Sequence, residues 1–123
     1  MEKIIITNNS KVNDFFVKEC DKENVNLKFV DSLPEVLLTA RDKIHEGYKL
    51  VNHPLASSIK PYKNLFKTVV VTQSDKNLDY FSLSVMEAAI NKSKDFEKDV
   101  FITPQIEEDY KLIDLEMFKG CLK

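Results

Sequence analysis

The chain has 123 residues, a formal net charge of -2 and only two glycines, Gly47 and Gly120. Hydrophobic residues at 43% and charged residues at 31% give the balance of one globular domain spanning residues 1–123, which excludes a disordered chain. Two distant glycines exclude a P-loop and a dinucleotide-binding fingerprint, and the near-neutral charge provides no field favouring nucleic acid or an anionic membrane.

Ile4-Ile5-Ile6 is a short β-branched run stopped by Thr7-Asn8-Asn9-Ser10, the pattern of a buried strand. Ser10 is the expected cap of a first helix, because Val12, Phe15, Phe16 and Cys20 then recur at helical spacing. Val25, Leu27 and Phe29 alternate into a less buried second strand ending near Asp31. Ser32 and Glu35 have the spacing of a capping box, and Leu33, Val36, Leu37, Ala40 and Ile44 form the apolar stripe of a second helix. Lys43 and His45 suit its negative end, and Gly47 falls where a left-handed residue closes a helix. Leu50-Val51 is a third short strand.

Residues 55–65 lack helical periodicity and lead into Phe66–Thr72, the strongest strand pattern, built on Val69-Val70-Val71. Leu78, Phe81, Val85, Ala88 and Ala89 mark a third helix capped by Asp79 or Ser82. Val100-Phe101-Ile102 reads as a fifth strand. Thr103-Pro104 opens a short helical turn with Glu107 and Glu108 near its positive end, and Asp114 caps a last helix burying Leu115, Phe118 and Leu122. This order predicts an α/β single-domain three-layer sandwich, with a mostly parallel sheet of about five strands, Rossmann-like or flavodoxin-like. Strands one and four are expected at its centre.

In open sheets of that kind ligands bind beyond the carboxyl ends of the strands. There the sequence offers Thr7-Asn8-Asn9-Ser10, Asp31-Ser32, residues 53–63 and Thr72-Gln73-Ser74-Asp75. The segment His53-Pro54-Leu55-Ala56-Ser57-Ser58-Ile59-Lys60-Pro61-Tyr62-Lys63 gathers an imidazole, hydroxyls, a phenol and ammonium groups, and two prolines stiffen it. Its donors and cations suit an oxyanion such as phosphate or carboxylate, with Ser57, Ser58 and Lys60 holding the charge. Thr7, Asn8 and His53 join them if the first and third strands share a crevice. A plain exposed connection has the same composition. As a catalyst, His53 would be a general acid or base.

Cys20 and Cys121 stand apart from each other and from any metal-ligand spacing, so they read as apolar fillers. Glu107, Glu108 and Asp109 read as a solvated face rather than a metal site. No cofactor motif is recognised. The start of the chain lacks the apolar run of a signal peptide, and no stretch approaches the ~20 apolar residues of a membrane span, so a cytoplasmic protein is expected.

Several passages together resemble the GrdX-like family: Ile5-Ile6-Thr7-Asn8-Asn9, Ala40-Arg41-Asp42-Lys43-Ile44-His45-Glu46-Gly47 and Asn52-His53-Pro54-Leu55-Ala56-Ser57-Ser58-Ile59-Lys60-Pro61. Leu78-Asp79-Tyr80, Ser82-Leu83 and Asp109-Tyr110-Lys111-Leu112-Ile113-Asp114-Leu115 complete the likeness, which runs end to end. Members of that family are small proteins encoded with the glycine, sarcosine and betaine reductase systems of anaerobic amino-acid-fermenting bacteria. The resemblance implies a metabolic setting and components of an amino-acid reductase complex as partners. It supplies no reaction. The leading reading is an accessory or small-anion-binding protein; the alternatives are a small enzyme acting on a phosphorylated or carboxylated metabolite through His53, and a purely structural subunit.

Overall fold

The computed structural model describes residues 2–19, 23–55, 64–75, 78–94 and 103–121. In chain order the elements are β1 (Lys3–Thr7), α1 (Ser10–Glu19), β2 (Val25–Phe29), α2 (Leu33–His45), β3 (Tyr48–Leu50), β4 (Thr68–Gln73), α3 (Tyr80–Ser93) and α4 (Pro104–Cys121). The strands form one four-stranded sheet in the order β2-β1-β4-β3. The two unbroken apolar runs, β1 and β4, lie at its centre.

The sheet is mixed, which corrects the expectation of a mostly parallel, five-stranded Rossmann-like or flavodoxin-like arrangement. β1 and β2 are parallel, whereas β4 runs antiparallel to both β1 and β3. The described residues between β3 and β4 contain no helix to carry the chain back across a sheet face, and β4 returns beside β3 in the opposite sense. A continuous valine run reports burial on both faces; it does not report strand direction. Val100-Phe101-Ile102, expected as a further strand, lies outside the described residues.

Alternation along β1 and β4 divides the core in two. Ile4, Ile6, Val69 and Val71 meet Val36, Leu37, Ala40 and Ile44 of α2 and Met86 and Ala89 of α3. Ile5 and Val70, cross-strand partners, point the other way onto Val12 and Phe16 of α1 and Phe118 of α4. Helices therefore cover both faces.

The helix ends follow side-chain chemistry, with two corrections. Asn9, not Ser10, caps α1: its Oδ1 accepts from Lys11 N at 3.0 Å, and its backbone carbonyl accepts from Val12 N and Asn13 N. Ser32 accepts from Glu35 N at 3.4 Å to open α2, and Gly47, at φ +106°, turns the chain from α2 into β3. Asp79 accepts from Ser82 N at 3.1 Å to open α3. The expected break at Asp114 does not occur. α4 is continuous from Pro104 to Cys121, and Asp114 sits buried within it. Its carboxylate has better partners across the core than at a helix start.

Candidate functional site

Because β4 is antiparallel, the carboxyl end of β1 meets the amino end of β4, and Thr7 stands opposite Thr68. β3 runs in the same sense as β1, so its carboxyl end reaches the same side of the sheet. There Asn52 bridges the strands, its Oδ1 accepting from Val70 N at 2.9 Å and its Nδ2 donating to Thr68 O at 2.8 Å. The Thr72–Asp75 segment, expected at this end, lies at the other one: Thr72 pairs with Lys3, and Ser74 N donates to Gly47 O.

Of the predicted ligand-binding residues, Thr7, Asn8 and His53 are described, and Ser57, Ser58 and Lys60 lie outside the described residues. Thr7 is fully buried; its hydroxyl contacts Thr68 Oγ1 at 2.8 Å and accepts from Asn9 N at 3.0 Å. Asn8 ties the approach of β4 to the end of β1, donating to Leu65 O at 2.9 Å and accepting from Lys67 N at 2.9 Å. His53 is exposed, and its Nδ1 accepts from Leu55 N at 3.1 Å. β4 lies between β1 and β3, so Thr7 and His53 are two strand spacings apart, roughly 10 Å.

A second set of residues at this end is prominent in the structure: as read from the sequence, Asn9 falls in the strand-end segment and Asp114 is a cap, but Asn64, Lys67 and Thr68 have no role and the five are not joined. Asn9, Asn64, Lys67, Thr68 and Asp114 are all buried. One Asp114 carboxylate oxygen accepts from Thr68 Oγ1 at 2.7 Å and from Asn9 Nδ2 at 3.0 Å. Asn9 Nδ2 also donates to Lys111 O at 2.8 Å, and Asn64 Nδ2 to Tyr110 O at 3.0 Å, so both asparagines grip α4. Among the described residues no buried side-chain nitrogen or oxygen lacks a hydrogen-bond partner. That completeness is what makes so polar a cluster tolerable inside a small domain.

Lys67 is the chemically distinctive member. Burial of its ammonium group pulls the pKa down from 10.5 to about 7, against an opposing pull from the Asp114 carboxylate. An amine so tuned exchanges its proton near neutral pH, where an ordinary lysine stays charged. Two sequence signals pointed here. Lys67 interrupts the apolar run from Leu65 to Val71, and Asp114 falls four residues before Phe118 on the buried stripe of α4. The acidic run is engaged with neighbours: Lys11 lies 2.8 Å from Glu108, which holds that carboxyl below its usual range, and Lys111 lies 3.6 Å from Glu107. An apolar cavity of about 330 Å³ between α2 and α3, lined by Pro34, Leu37, Leu38, Ile90, Ser93 and Lys94, contains none of these groups.

A family model described as GrdX-like protein matches residues 4–123. The chain belongs to the GrdX-like family. The matched span begins within β1 and runs through every later element, and it takes in the predicted ligand-binding residues and the buried polar cluster. No curated protein and no solved structure matches the chain. No helix among the described residues is long and apolar enough to cross a membrane.

Proposed function

We propose that this GrdX-like protein is a non-catalytic accessory component of a glycine, sarcosine or betaine reductase system, working in the cytoplasm of an anaerobe. The observation that carries the proposal is the family match over residues 4–123. Its ligand would be a small anion held at the shared carboxyl end of β1 and β3. In this reading His53 contributes a ring donor beside the Thr7–Asn8 end of β1, whose side chains hold the strands together, and Ser57, Ser58 and Lys60, outside the described residues, contribute hydroxyls and a cation. The rival reading makes His53 an acid/base group on a phosphorylated or carboxylated metabolite. It draws less support from the geometry. With Nδ1 accepting from Leu55 N, the neutral ring keeps its proton on Nε2, so it offers a donor there and no free acceptor.

An affinity-tagged chain expressed in a glycine-fermenting anaerobe is expected to co-purify with a reductase subunit; recovery of the chain alone counts against the accessory role. For the anion, phosphate and acetate are the probes. Tenfold excess over Kd adds about 1.4 kcal/mol, a rise of roughly 4–7 °C in Tm that Lys60→Ala and His53→Ala should each reduce.

A further inference from the structure

We infer that the outer edge of β2 is the docking surface for a second copy of this chain, joining two four-stranded sheets into one continuous sheet. β2 ends the sheet among the described residues. Lys3 N donates to Asn24 O and Val30 N donates to Thr7 O, so the even-numbered residues of β2 bond inward to β1. By the alternation of a parallel ladder, the N–H and C=O groups of Val25, Leu27 and Phe29 point outward. Such an edge is a template for another strand unless charge, proline or a bulge blunts it. β2 has no proline, and its one charged residue, Lys28, alternates onto the face opposite Leu27.

The apolar side of the edge is also open. Val25 and Leu27 pack on the cluster beneath α1 and α4, whereas Phe29, on the same side, is 47% exposed and Val17 of α1 is 57% exposed. A second copy suits this edge because the strand is complementary to itself in one register. An antiparallel pair with its two-fold axis at Leu27 sets Val25 against Phe29 of the second copy, and Phe29 against Val25. All three outward N–H groups of each copy then meet outward carbonyls, and the apolar side chains form one row. On the other face each Lys28 stands across from Asn26, whose amide oxygen accepts from an ammonium group. Moving the axis to Lys28 would place two ammonium groups face to face, where Cα atoms lie ~4.5 Å apart. Moving it to Asn26 would set Phe29 against the charged Glu23 and leave outward groups unpaired. The net charge of -2 adds little long-range repulsion between copies. A five-residue strand pair is a small interface, so the association belongs to the weak, reversible class.

Sedimentation velocity of the full chain, from about 10 μM to about 1 mM, tests the inference. The expected result is a concentration-dependent monomer–dimer equilibrium that responds to charge at position 26, an exposed site. Asn26→Lys faces Lys28 twice per dimer and should weaken it, whereas Asn26→Glu should tighten it, each by roughly two- to thirtyfold in Kd. The double variant Asn26→Lys/Lys28→Glu should restore association. A monomer throughout that range, or a dimer indifferent to all three variants, overturns the assignment, including in favour of a foreign strand at this edge.

Discussion

Lys67 makes the stability of this protein rise with pH in a range where most domains change little. Its pKa is 10.5 as an ordinary lysine and about 7 in the folded protein. For a base depressed in this way the fold opposes the proton, so the penalty is complete below pH 7 and disappears as the pH approaches 10.5. Near pH 7 the folded amine is about half protonated, while the unfolded one is charged. Raising the pH to about 9 should therefore increase the unfolding free energy by roughly 2 kcal/mol. With a urea dependence of about 2 kcal/mol per molar, the midpoint should move up by about 1 M. Lys67→Met keeps an apolar stem of similar length and cannot titrate, so its midpoint should lack that increment. Urea melts of both proteins at both pH values isolate the effect, since every other titrating group is common to the two. Parallel shifts in wild type and variant would falsify the reasoning.

Three further outcomes follow from the same geometry. Asn9→Ala removes the cap of α1 and strands the Lys111 carbonyl and a carboxylate lone pair of Asp114; a loss of about 2–4 kcal/mol in chemical denaturation is expected, and less than 1 would show that water replaces the amide. Gly47→Ala meets no atom within 4 Å but must hold φ +106°, so about 1 kcal/mol and roughly 3–5 °C of Tm should be lost through backbone strain alone. Asp114→Asn keeps the shape while removing the charge that favours protonated Lys67. The rise in stability should then begin at lower pH while still ending near 10.5, and an unmoved onset would mean the carboxylate does not act on the amine.

The sequence was most informative where a pattern reports burial. The isoleucine triplet of β1 and the valine triplet of β4 identified the two central strands, and the stripe from Leu33 to Ile44 identified α2. Strand direction was illegible for the same reason. A triplet buried on both faces looks alike in either sense, and the length of the connection from Val51 to Lys67 permits both. Asp114 misled because a carboxylate just before an apolar helical stripe, here Leu115 and Phe118, often caps a helix; its partners Thr68 and Asn9 are distant in sequence and adjacent only after the chain folds. Lys67 left a trace in the sequence, a charge set just before the valine run, but that trace did not report its burial. A lysine beside a strand normally points to solvent, and only the three-dimensional enclosure reveals otherwise.

The grip of Asn9 and Asn64 on α4 has a consequence for the order in which the molecule can be made. Asn9 and Asp114 are separated by 105 positions, so a chain emerging from the ribosome completes this bond only after α4 has followed every other element out. Until then Thr68 and Asn9 lack the carboxylate they share, and the face of Ile5 and Val70 lacks Phe118. The other face has no such dependence on the last helix, because α2 and α3 precede it in the chain. The two faces of one sheet thus mature at different times during synthesis. A chain ending before Pro104, held clear of the ribosomal tunnel by a long linker, should protect the α2–α3 side from proteolysis while the α1 side remains open.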